Sequence, residues 1–82
     1  MNRVVVKGIY KHFKGDYYLV EDIAINNEDD SEYVIYRALY GESNLYTQPL
    51  NRFIETIDKQ KYPSCKQTYR FELQTISPVN KK

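Results

Sequence analysis

Three polar, turn-forming stretches cut the first half of this chain into β-prone runs, and that punctuation limits the fold more than any other feature. Residues 14–16, 26–32 and 41–44 are built from Gly, Asn, Asp, Ser, Lys and Glu, the composition of turns. Between them, residues 9–13, 17–25, 33–40 and 45–48 are dominated by Tyr, Val, Ile and Leu, which fit a pleated, half-buried surface. Gly15 supplies the positive φ that a tight turn needs. Glu21-Asp22 breaks the alternation of the second run and predicts a bulge or bend. Residues 33–40 are nearly all apolar, interrupted only by Arg37, as in a central strand with neighbours on both sides. Together these runs predict a meander of antiparallel strands.

The second half begins with Pro49, whose fixed φ suits the first position of a helix. Leu50, Phe53, Ile54 and Ile57 follow at helical spacing and predict one short helix near 49–58. A polar connection over 59–66 contains Pro63. Residues 68–75 then read as a last strand, with Tyr69, Phe71 and Leu73 on one face and Arg70, Glu72 and Gln74 on the other. Residues 1–7 read as an arm or a first short strand, and the tail 78–82 as frayed. The expected fold is mainly β with one short helix, a small curled antiparallel sheet or an SH3-like or OB-like barrel. It forms one domain over 1–82, with its ordered core over about 8–75.

Size and composition exclude several classes. A chain of 82 residues buries only about 60–65% of its unfolded surface, enough for one core. A formal charge of +1 gives no long-range field to gather nucleic acid or anionic membrane, although a local basic patch remains open. The one cysteine, Cys65, forms no intrachain disulfide. With no signal-like apolar segment near residues 1–10 and no run of the ~20 apolar residues that span a bilayer, the expected location is the cytoplasm. Nine tyrosines and three phenylalanines without tryptophan either fill a thin core or line a stacking surface.

Residues 8–15, Gly-Ile-Tyr-Lys-His-Phe-Lys-Gly, concentrate the chemistry: two aromatics, two lysines and the only histidine between two of three glycines. By alternation Tyr10, His12 and Lys14 share one face of the first strand, a set suited to an anionic or planar ligand. Lys11 and Lys14 flank His12 and disfavour its charged form. With one His and one Cys, no His/Cys metal cage assembles within the chain, and no cofactor is expected. The run Glu28-Asp29-Asp30-Ser31-Glu32 lacks the glycine and ligand spacing of a calcium loop and reads as a hairpin connection. Cys65 has no histidine nearby in sequence to activate it, and no phosphate-cradling glycine loop is present.

These residues resemble a bacterial family, the domain of unknown function DUF1653. Its pattern begins Gly-x-Tyr-[Arg/Lys]-His-[Phe/Tyr]-Lys-Gly followed by x-x-Tyr-x-Val, matched by Gly8, Tyr10, Lys11, His12, Phe13, Lys14, Gly15, Tyr18 and Val20. It continues through Ala24 to a Val-Val-Tyr-x-x-Leu-Tyr-Gly stretch, matched by Val34, Ile35, Tyr36, Leu39, Tyr40 and Gly41. A Leu-Trp-Val-Arg-Pro segment and a later Phe are similar to Leu45-Tyr46-Thr47-Gln48-Pro49 and Phe53, and a closing Arg-Phe to Arg70-Phe71. Three departures stand out. Asn26-Asn27-Glu28 replaces His-[Ser/Thr]-Glu, Tyr46 replaces Trp, and Gln48 replaces Arg. The resemblance implies a small stand-alone domain and assigns no activity.

The residues favour a non-enzymatic binding module. Its candidate site is Tyr10, His12, Lys14, Tyr36, Tyr40 and Arg70. The expected ligand is anionic or planar: a nucleotide, a small molecule or single-stranded nucleic acid, the last bound weakly because of the near-neutral charge. No membrane partner is expected. One alternative is a small enzyme with His12 as acid/base on an anionic substrate held by Lys14 or Arg70. Another is a structural homo-oligomer subunit paired through a tyrosine-rich edge.

Overall fold

A computed structural model describes residues 4–75. Five strands form one antiparallel sheet in the order β4-β3-β2-β1-β5. They are β1 (Ile9–His12), β2 (Tyr17–Ile25), β3 (Glu32–Ala38), β4 (Leu45–Pro49) and β5 (Phe71–Leu73), and α1 (Leu50–Phe53) follows β4. The first four strands run as a meander through the expected turns, and β5 returns to pair with β1. The small curled sheet is therefore what forms. The SH3-like or OB-like barrel does not, because β4 and β5 stand at opposite edges and no ladder joins them. The frayed tail expected over 78–82 lies outside the described residues.

Local chemistry accounts for most boundaries. The ladder between β2 and β3 shifts register between Val20 and Asp22, so the acidic pair does mark a bulge. Arg37 interrupts the apolar run of β3 because it faces outward, where its Nε donates to Glu21 at 3.0 Å and its Nη1 to the Ser43 carbonyl at 2.9 Å. Lys7 reaches the same carboxylate at 3.0 Å. Residues 26–31 form a compact hairpin connection closed by its own side chains. Asn26 Oδ1 accepts from the Glu28 N–H at 2.9 Å, and Asp29 Oδ1 accepts from the Ser31 N–H at 3.0 Å and hydroxyl at 2.7 Å. Among the described residues no group of three or more His, Cys, Asp or Glu side chains is placed to hold a metal ion. No described helix is long and apolar enough to cross a membrane.

Two elements are shorter than the sequence predicts. The helix expected near 49–58 is a single turn, Leu50–Phe53. Its apolar stripe is still interior, but Ile54, Thr56 and Ile57 are β-branched, which lowers their helix propensity. They also find better partners in extended chain: Thr56 bridges to Tyr69, and the Ile57 N–H bonds the Thr68 carbonyl at 2.9 Å. The last strand, expected over 68–75, pairs only over Phe71–Leu73. The Glu72 carboxylate instead turns back to accept the N–H groups of Thr68 at 2.7 Å and Tyr69 at 3.2 Å.

One face of the sheet carries the core. Tyr10, Val20, Val34, Phe53 and Phe71 are buried together, with Val4, Tyr18, Tyr36, Leu50 and Ile54 packed around them. Phe53 drops from α1 onto Phe71, the rings parallel at 9° with centroids 4.1 Å apart. It meets Tyr10 and Tyr36 edge to face, each at 5.3 Å. Gly8 sits in a crowded spot: a Cβ there would lie 2.8 Å from Leu73 Cδ1 and 3.0 Å from the Val5 carbonyl, so both neighbours would have to shift.

Candidate functional site

The β1–β2 hairpin sets the position of His12. Its connection, residues 13–15, is closed by bonds from the His12 N–H to the Asp16 carbonyl and from the Gly15 N–H to the His12 carbonyl, each 2.8 Å. Gly15 adopts φ 112°, a conformation that a side chain resists. The turn brings the Lys14 N–H back onto His12 Nδ1, which accepts it at 3.1 Å. That bond requires an unprotonated Nδ1. Burial lowers the His12 pKa below its ordinary 6.5, and the charges of Arg70 and Lys14 lower it further against an opposing pull from Asp16. The imidazole is therefore a neutral ring at neutral pH. It packs edge to face on Phe71 at 4.8 Å and against Tyr18 at 6.4 Å, and lies tilted beside Phe13 at 4.6 Å.

From His12 a sheet of rings extends across β2, β3 and β4 on the same face as the core. Tyr18 is its hub, with ring centroids of Tyr36, Tyr40, Phe71 and Tyr46 at 5.3, 5.6, 5.7 and 6.5 Å. Cross-strand register produces this. Tyr18 opposes Tyr10 and Ala38, and Tyr36 opposes Val20 and Tyr46, so aromatics occupy neighbouring positions of one pleat. The short α1 covers only the Phe53 end. Tyr40 and Tyr46 remain 43% and 41% exposed. The hydroxyls are tied together: Tyr18 and Tyr40 share a hydrogen bond of 2.8 Å, and Tyr36 accepts from Gln48 Nε2 at 3.2 Å. Burial, the hydrogen bond to Tyr40 and neighbouring carboxylate and phenol groups raise the Tyr18 pKa far above its ordinary value. Tyr36 is raised by burial and by Tyr40 and Tyr46. These phenols stay protonated, so the ring surface is uncharged and offers O–H groups and aromatic faces.

The residues chosen from sequence are divided among three environments. Tyr10 is 5% exposed and belongs to the core; its hydroxyl accepts the Val5 N–H at 2.8 Å and anchors the arm. His12, Tyr36 and Tyr40 do share one open surface. Lys14 falls beyond the end of β1, in the turn, so it does not share the strand face of Tyr10 and His12. Lys14 and Arg70 are both drawn to the Phe13 ring, the ammonium 5.8 Å and the guanidinium 5.6 Å from its centroid. Phe13 in turn meets Tyr62 at 4.8 Å. Sequence reasoning missed Tyr18 and Tyr46 as surface residues and Tyr62 altogether. The parity of Tyr18 with Val20 was the available signal for the first. Tyr62 lies in a connection whose path no periodicity reveals.

No curated protein matches the chain. The crystal structure of a DUF1653 protein from Bordetella bronchiseptica is similar at 30% identity, covering 90% of this chain and 94% of that one, with a TM-score of 0.69. The sequence pattern of DUF1653, a family of proteins of unknown function, matches residues 8–73, and so takes in the β1 motif, the ring surface and β5. The chain therefore belongs to DUF1653.

Proposed function

We propose that this domain is a non-enzymatic binding module that takes a planar ligand, such as a nucleobase or another aromatic ring, on the open surface of His12, Tyr18, Tyr36, Tyr40 and Tyr46. One observation carries the reading: aromatic rings continue from the core out to solvent, and among the described residues no element covers them at the β4 side. A fold that needed only a core would bury or omit them, since exposed contiguous apolar area carries a cost unless it is used. The surface is neutral, which favours stacking over charge recognition. His12 contributes the face of a neutral ring and its Nε2–H, because its Nδ1 accepts the Lys14 N–H. The single cysteine fits a reducing compartment, and we place the protein in the cytoplasm.

The test is a titration with nucleosides, nucleotides and short single strands, read by tyrosine fluorescence. Saturable binding that weakens in Tyr46→Ala, with folding intact, supports the reading. Identical binding by Tyr46→Ala and Tyr40→Ala variants removes it.

A further inference from the structure

A groove beside the β1–β2 turn carries a separate observation. The β1–β2 turn and the connection over residues 62–67 flank an open surface groove of about 630 Å³, within the size range of small-molecule sites. Lys11, Lys14 and Lys66 line it, with Phe13 and Tyr62 as an apolar wall, and no carboxylate side chain does. None of these lysines pairs with a carboxylate among the described residues. Asp16, two residues from Lys14, pairs with none of these lysines among the described residues, and two other nearby acids are engaged elsewhere. Glu72, opposite Lys11, accepts the Thr68 and Tyr69 N–H groups, and Asp58 accepts the Gln60 N–H at 3.0 Å.

The wall that completes the groove is held in place rather than draped. The Lys59 ammonium donates to the carbonyls of Cys65 at 2.6 Å and Gln67 at 2.7 Å, which cinches the segment into a loop. The Tyr62 N–H bonds the Asp58 carbonyl at 2.9 Å, and the Cys65 N–H bonds the Tyr62 carbonyl at 3.1 Å. The Gln67 side chain then ties this loop to β1, donating to the Lys11 carbonyl at 3.2 Å. Gly15, at a φ closed to most residues, keeps the opposite wall turned so that Lys14 faces the loop. Three lysines without a carboxylate partner line one groove, which favours an anion there; the Lys14 ammonium lies 5.8 Å from the Phe13 ring and the Lys11 ammonium 6.0 Å from Tyr17.

We infer that this groove binds the phosphate groups of a small phosphorylated molecule, with Lys11, Lys14 and Lys66 as its cationic lining and Phe13 and Tyr62 against its organic part. The lysines gather at one short groove rather than along a stripe, which suits a compact polyphosphate better than a nucleic-acid backbone that tracks a basic groove over several nucleotides. The site is separate from the ring surface and does not depend on it.

Cys65 provides the test, because it lines the groove and is the only cysteine in the chain. Alkylation of Cys65 by iodoacetamide is followed by mass spectrometry with inorganic pyrophosphate, ADP or a short thymidylate strand at low salt. Pyrophosphate and ADP are expected to slow alkylation saturably, and raising the salt to reverse it, since exposed charges are screened within ~10 Å at 0.1 M. Lys14→Ala and Lys66→Ala should each weaken protection about two- to fivefold, the range an exposed ion pair carries. Both side chains are exposed, so an unchanged melting temperature shows that the fold is intact. An alkylation rate indifferent to pyrophosphate and ADP overturns the proposal, as does protection that survives in the double variant. Protection by the thymidylate strand at lower concentration than by pyrophosphate overturns the small-molecule assignment.

Discussion

Replacing Phe53 with alanine tests how the fold is held. Phe53 is 1% exposed and is the only buried residue of α1. Its ring stacks on Phe71 and touches Tyr10 and Tyr36, so one truncation empties the meeting point of β1, β3, β5 and the helix. Burying and then deleting a phenyl ring costs about 3–5 kcal/mol, and three aromatic contacts at ~0.5–1.5 kcal/mol each place this site at the upper end. At about 0.05–0.15 kcal/mol per residue, the whole domain is worth only ~4–12 kcal/mol. Phe53→Ala is therefore expected to remove at least a third of the stability and to leave a mixed population at the weak end of that range. In urea melts with an m-value near 1 kcal/mol/M, the midpoint should fall by about 3 M or more. Phe53→Leu, which keeps an apolar side chain, should lose less. A loss under ~1 kcal/mol for the alanine variant would refute the reasoning, because a change of that size is typical of a surface position.

Further outcomes follow from other sites. Well above its ordinary pKa of 6.5, His12 is neutral both folded and unfolded. As pH falls through 6.5 the unfolded chain binds a proton that the folded site resists, so stability should drop until the lowered native pKa is passed. His12→Gln should flatten that acid limb in melts taken across pH 4–8, while an unchanged limb would show that the ring is not shielded (roughly the window in which imidazoles titrate). Gly15→Ala forces a side chain into φ 112° and should cost about 1–2 kcal/mol in chemical denaturation. Tyr46→Ala should change stability by less than ~1 kcal/mol, yet weaken stacking of a planar ligand by about 1–3 kcal/mol in titrations.

Much of the sheet was legible because turn chemistry and alternation are local. Gly15, the 26–32 loop and the 41–44 turn mark the strand ends, and Glu21-Asp22 marks the bulge, from side-chain chemistry alone. Arg37 was readable only as an interruption, because its partner Glu21 comes from the neighbouring strand. The helix was overread: the stripe of Leu50, Phe53, Ile54 and Ile57 reports which side chains go inward, but Ile57 does so in extended chain, where Thr56 and Ile57 pair with 68–69. The candidate site was half legible. Alternation correctly joins Tyr10 to His12, but it cannot say how far along a face the cover extends. α1 reaches over Tyr10 and stops short of Tyr40 and Tyr46, and that depends on helix length. The groove was not legible at all, since Lys14 and Lys66 lie far apart in sequence and meet only through the loop that Lys59 cinches.

The central claim is that the open ring surface is where this domain binds. Aromatic-side-chain NMR during titration with nucleosides and short single strands measures it most directly. The account predicts that signals of Tyr18, Tyr36, Tyr40, Tyr46 and His12 move together and saturate at one common dissociation constant. Shifts confined to the outer face around Leu19, Ile35 and Arg37, or none at all across such ligands, would contradict it.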